Sequence, residues 1–238
     1  MAESYQDARK RGTGEEIRLI YYNYSPNQLE QKAEELLKKF DAERLIKTKP
    51  IDVYAVIEQC LDVPYDWKYL TPNQSYLGLT AFNDGYIWVW DKPYYKDGML
   101  PHKLYLEKGT IVIDSTLTES NNRGRENFTV IHEVFHQVLH KTCFKHSKGY
   151  NAHVTTSAVI DNRFTAKNKL EYQANACAAA FLMPRELTTA TFNKLYGHSN
   201  TLDTKILGSE LLIEQLANEF SVSKQAMKYR LINLNLVK

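Results

Sequence analysis

The sequence predicts an α+β fold, and three observations carry that prediction. Segments near 25–40, 125–140 and 170–183 place apolar residues at spacings of three and four, the period of a helix with one buried face. Residues 77–114 are instead rich in β-branched and aromatic residues, punctuated by Gly, Pro and Asp. Strands therefore cluster in the middle of the chain with helices on either side, rather than alternating with them. At 238 residues the chain can bury a full core as one domain with a small appendage.

Taken in order, residues 1–24 are polar, carry Arg9-Lys10-Arg11-Gly12 and show no periodicity. They read as a loose tail with a short ordered piece near Ile17 to Tyr24. Ser25-Pro26-Asn27-Gln28 marks a helix start, with Ser as N-cap, Pro at the first helical position and Gln completing a capping box. Leu29, Ala33, Leu36, Leu37 and Phe40 continue on one face. A second helix begins near Asp52, turns Val53, Val56, Ile57 and Cys60 inward, and stops before Pro64.

Residues 77–82, the turn Asn83-Asp84-Gly85 and residues 86–90 predict a β-hairpin, since Asp-Gly supplies the positive φ angles of a tight turn. Residues 91–103 hold Pro93, Gly98 and Pro101 and read as a surface loop. Residues 104–106 and 110–114 predict further strands, completing a small antiparallel sheet. The second of these is β-branched and the last strand before the 125–140 helix, so it is expected to be an exposed edge that pairs with an extended chain. A polar connection, 115–125, leads into that helix.

The 125–140 helix carries His132-Glu133-Val134-Phe135-His136. Residues four apart lie on one helix face about 6 Å apart along the axis, so both imidazoles can close on one Zn²⁺. Glu133 lies one step round the helix, placed to act as a general base rather than as a ligand. This is the arrangement of zinc peptidases. His140 extends the same stripe but lies about 12 Å along the axis from His132, too far for one ion. It is expected to pack or to orient a neighbour.

A further histidine six residues after His136 would mark one class of such enzymes, but Thr142 stands there. The remaining pattern draws the third ligand from a later helix. Glu171-Tyr172-Gln173-Ala174-Asn175 opens one, and its small residues let it lie close to the first, so Glu171 is the expected third ligand. Asn175, four residues on, is placed to hydrogen-bond a ligand histidine. Tyr150, His153 and His146, in the polar stretch between the two helices, are candidates for stabilising an oxyanion.

The pair HEVFHQVLH and EYQANACAAAFLMP resembles the ImmA/IrrE family of metallo-endopeptidases. Strand 110–114, the segment Arg125-Glu126-Asn127-Phe128-Thr129 and the segment 216–223 with Arg230-Leu231 resemble it too. The similarity covers about residues 50–238. It implies a zincin-like fold of the gluzincin type, with His132, His136 and Glu171 as zinc ligands and Glu133 as base. Family members act as bacterial regulators, often encoded with a repressor that they cleave or inactivate. One departure is Phe135, where many members have Gly, which implies a differently packed helical turn.

Near the C-terminus, residues 211–220 form a helix, Ser221-Val222 a turn, and Ser223 caps a second helix to about 234. This predicts a helix-turn-helix subdomain over 208–238, following a peptidase domain over 25–207. Lys224, Lys228 and Arg230 would suit phosphates. Glu210, Glu214 and Glu219 leave the unit nearly neutral, and Leu231, Leu234 and Leu236 suit packing, so docking is preferred to DNA binding.

Composition narrows the function. The net charge of +2 predicts no general attraction to nucleic acid. The longest apolar run, 176–183, is far short of a membrane span, and the first residues lack a signal-peptide core. Three scattered cysteines without C-x-x-C spacing read as reduced thiols in a cytoplasm. The expectation is a cytoplasmic zinc endopeptidase making limited cuts in a regulatory protein such as a repressor. A metal-containing sensor that binds without cleaving, and a DNA-binding regulator, are the alternatives.

Overall fold

The chain begins with an antiparallel pair of strands, β1 (Tyr5–Ala8) and β2 (Leu19–Tyr22), where polar composition predicts a loose tail. The reason is long-range: Tyr21 is buried against Cys143 and Leu170, far away in sequence. The computed structural model describes residues 5–8, 19–93, 100–120, 122–144, 152–156, 166–197 and 207–237. Helix α1 (Pro26–Asp41) forms as its capping box dictates. Ser25 Oγ accepts from the Gln28 N–H, and Gln28 Oε1 accepts from the Ser25 N–H. Its buried face is Leu29, Ala33, Leu36 and Leu37. Helix α2 (Val53–Val56) is capped by Asp52 and runs on as a single π turn, Ile57–Leu61, which stops at left-handed Asp62 before Pro64.

The strands that follow are β3 (Tyr65–Lys68), β4 (Tyr76–Ala81), β5 (Gly85–Val89), β6 (His102–Leu106) and β7 (Ile111–Asp114). Helices α3 (Ser115–Glu119) and α4 (Arg123–His140), strand β8 (Ala152–Thr156) and helix α5 (Ala166–Leu182) come next. Helices α6 (Arg185–Gly197), α7 (Leu207–Glu219) and α8 (Lys224–Asn233) complete the described chain. The main sheet has the order β3-β7-β4-β8, and β5 and β6 form a separate ribbon.

Three expectations for the β region are corrected. The sheet is mixed, not antiparallel, because β3 joins it parallel to β7. The predicted 77–90 hairpin does not form. Both edges of β4 are taken by β7 and β8, so the Asn83-Asp84-Gly85 turn sends the chain away to pair β5 with β6. Asp84 anchors this turn by accepting from the Lys108 N–H at 2.7 Å. Finally, strand 110–114 is not an exposed edge: β7 lies between β3 and β4 and is buried along its length. A run of Ile, Val and Ile suits burial on both faces, and here Ile111 and Ile113 pack into the helical core while Val112 packs into the core under the ribbon.

The polar 115–125 connection contains α3, whose N-cap is Asp114: its buried carboxylate accepts from the Thr116 N–H and also from the Leu70 N–H at 2.9 Å. Helix α4 is the hub, buried on nearly every side from Asn127 to His140. Its start abuts the turn between α7 and α8. A Cβ at Gly124 would lie 2.3 Å from the Val222 carbonyl carbon, and Asn127 donates to the Ser221 carbonyl at 2.9 Å. Phe135 is fully buried edge-on against Phe181, so the bulk at this position fills the core between α4 and α5.

Ser223 caps α8 as predicted, but Arg230 is not available to phosphate. It is buried, donates from Nε to the Met183 carbonyl at 3.0 Å, and grips both oxygens of Glu30 on α1 at 2.5 and 2.8 Å. Lys224 pairs with Glu214 on α7. Met227 and Leu231 are buried in the main core, so α8 is a structural layer of the domain. Removing one partner of a buried pair leaves the other charge uncompensated. Arg230→Ala is therefore expected to lower the unfolding free energy by about 3 kcal/mol, with Arg185, 3.3 Å from Glu30, softening the loss. Lys224→Ala, breaking an exposed pair, is expected to change it by less than about 1 kcal/mol. Urea unfolding of both variants checks this, and equal effects would contradict the assignment.

Candidate metal centre

Helices α4 and α5 lie side by side because α5 turns small or compact residues, Ala174, Cys177 and Ala178, into the core. That close approach brings His132 and His136 of α4 to Glu171 of α5. One donor atom from each residue lies within 4.8 Å of the other two, and all three residues are buried. The two Nε2 atoms are 2.8 Å apart. Glu171 Oε2 is 3.2 Å from His132 Nε2, and its Oε1 is 3.9 Å from His136 Nε2. Donors around a tetrahedral zinc ion stand about 3.3 Å apart, given bonds of about 2.0–2.1 Å. The observed separations bracket that value, and two imidazoles with one carboxylate are a zinc donor set, so the residues fit the ion.

The electrostatics favour positive charge at this point. Burial pushes the His132 imidazole down, but hydrogen bonding and charge from Glu171, the charge of Glu133 and the hydrogen bond to Asn175 outweigh it, and the net shift is upward. The Asn175 Oδ1 atom lies 2.9 Å from His132 Nδ1. An amide oxygen only accepts, so His132 donates from Nδ1 to Asn175, and in the neutral ring Nε2 is the nitrogen left to bind an ion. His140 stays outside the three-donor cluster, its Nδ1 2.9 Å from His136 Nδ1.

The sequence matches the model of the IrrE N-terminal-like domain, peptidase family M78, over residues 95–232. The chain belongs to this family. M78 members are metallopeptidases, and the buried His132, His136 and Glu171 are a cluster that can hold the metal. No individual curated protein matches the sequence. The α+β architecture, a small sheet with α4 against it and α5 packed on α4, is consistent with a zincin-like domain. No helix among the described residues is long and apolar enough to cross a membrane.

The M78 match begins after β4, yet β4 supplies the surroundings of Glu133, which sequence reasoning missed. Glu133 is fully buried, and Thr80 donates its hydroxyl to Glu133 Oε2 at 2.5 Å. Gly78, two residues earlier, is bare for a steric reason: a Cβ there would lie 2.5 Å from Glu133 Oε1. The available signal was Gly78 itself, a lone glycine inside an apolar strand, which marks close approach by another group. Of the oxyanion candidates, Tyr150 and His146 lie outside the described residues. His153 is in β8, where its backbone stands opposite Thr80.

Proposed function

We propose that the protein is a zinc-dependent endopeptidase making limited cuts in a regulatory protein such as a repressor, with Glu133 as its catalytic base. The observation that carries this reading is a fourth ionisable group, Glu133, held by Thr80 beside the three-donor cluster and outside it. A purely structural zinc needs no such base. His132, His136 and Glu171 hold the ion, which when bound supplies Lewis acidity toward the scissile carbonyl and a more acidic water. Glu133 takes the proton of the attacking water and returns it to the leaving amine. The Thr80 hydroxyl fixes the rotation of that carboxylate, and Gly78 leaves it room.

An extended substrate segment needs a strand edge to pair with. With β7 internal, the edge on the Glu133 side of the described sheet is β8, next to the strand that carries Gly78 and Thr80. Main-chain pairing reads extension rather than sequence, so choice of partner falls to docking elsewhere, as on the C-terminal helices. A DNA-binding role is disfavoured by Arg230, whose guanidinium is committed to Glu30. A cytoplasmic setting is supported by Cys60, Cys143 and Cys177, all free thiols. Burial pushes the Cys143 thiol up to about 12, which keeps it protonated and unreactive.

The test is incubation of the zinc-loaded protein with a candidate repressor, chosen from among the products of neighbouring genes. Mass spectrometry is expected to find one new terminus, in a linker, that a chelator prevents. An intact repressor that nonetheless loses its operator would replace this reading with the non-cleaving sensor. Efficient digestion of casein-like chains at many sites would contradict the limited specificity.

A further inference from the structure

We infer that Gln173 is a positioning residue which, through His140, fixes the tautomer of His136, and that strand β2 anchors this relay. The inference rests on the metal-centre reading and deepens it. Gln173 Nε2 lies 2.7 Å from the Tyr22 main-chain carbonyl. A carbonyl oxygen only accepts, so the amide nitrogen must face it and Oε1 must face the other way. There Oε1 meets His140 Nε2 at 3.0 Å. An amide oxygen also only accepts, so His140 carries a proton on Nε2, and as a neutral ring it leaves Nδ1 bare. That bare nitrogen lies 2.9 Å from His136 Nδ1, which must therefore donate. His136 Nε2 is left with its lone pair directed at His132 and Glu171.

With His140 neutral, each link has one donor direction, and the order runs from a main-chain carbonyl to a ligand atom. The three side chains concerned are buried: His136, His140 and Gln173 are at most 2% exposed, so water has little access to substitute for a missing partner. The same helix treats the other histidine in one step, through Asn175. Helix α5 thus contributes one cluster member, Glu171, and the residues that orient both histidines. The anchor explains why the N-terminal hairpin is tied to the domain at this point. Tyr22 meets Gln173, and its neighbour Tyr21 packs on Leu170 one turn earlier in α5.

The experiment compares wild type with Gln173→Leu and Gln173→Glu, using protein labelled with ¹⁵N at histidine. Long-range ¹⁵N–¹H spectra of the metal-free wild type should show His136 as the Nδ1–H tautomer and His140 as Nε2–H. Gln173→Leu removes the acceptor, so His140 and His136 should lose their single tautomers, and zinc affinity measured by chelator competition should weaken roughly 10–100-fold. Gln173→Glu keeps an acceptor for His140 and should stay within a few-fold of wild type in zinc affinity, even if the lost bond to Tyr22 lowers stability. His136 found as Nε2–H in wild type would overturn the relay, as would unchanged tautomers and affinity in Gln173→Leu. If Gln173→Leu does not fold, the wild-type spectra and Gln173→Glu decide. A wild type with the stated tautomers but no zinc affinity would sink the metal-centre reading while leaving the relay standing.

Discussion

Glu133→Gln is expected to keep its full complement of zinc and to lose turnover by about 10²–10⁴-fold or more, the span that a positioned acid–base group supplies. The substitution keeps volume and shape. Glutamine still offers an oxygen to the Thr80 hydroxyl, and it asks no more of the gap at Gly78 than glutamate does. It cannot take a proton from water. Since Glu133 stands outside the three-donor cluster, the ion should be held as before. Elemental analysis of the purified variant beside a cleavage time course separates the two effects. Full zinc with turnover near wild type would remove Glu133 from the mechanism, and loss of zinc would make it part of the binding set instead.

What the sequence made legible was local in origin. The capping box at Ser25 and Gln28, the caps at Asp52 and Ser223, and the four-residue spacing of His132 and His136 are short-range patterns with one physical solution each. The structure accordingly holds helices at those places. The convergence of Glu171 on the two histidines was legible from the small residues that let α5 approach α4. Strand pairing was not, because a run such as 77–82 says that a strand is buried but not by whom. The Asp-Gly turn after it favours a hairpin locally, and the two partners already flanking β4 override it. The same limit hid the setting of Glu133, since Gly78 and Thr80 are more than fifty residues from it. Arg230 misled for a related reason. On its own helix it reads as one of three exposed cations, and only the fold reveals Glu30 beneath it, 200 positions away in the chain.

Replacing a member of the donor cluster should act on the metal before it acts on chemistry. His132→Ala, His136→Ala and Glu171→Ala are each expected to leave the purified protein with little zinc and no measurable turnover, because two donors from one or two helices cannot close a tetrahedral site. The linkage to folding gives a second readout that needs no substrate. An ion that binds only the native state adds about 2.7 kcal/mol of stability at 100 times its dissociation constant. Wild type should therefore melt at a higher temperature with zinc than after chelation, and the three variants should melt at the same temperature with or without it. Glu171→Ala is the most informative, since its carboxylate is the one member contributed by α5. Should that variant keep full zinc and its zinc-dependent melting shift, Glu171 is not the third ligand, and the next candidates to replace are His153 and Asp161, the latter outside the described residues.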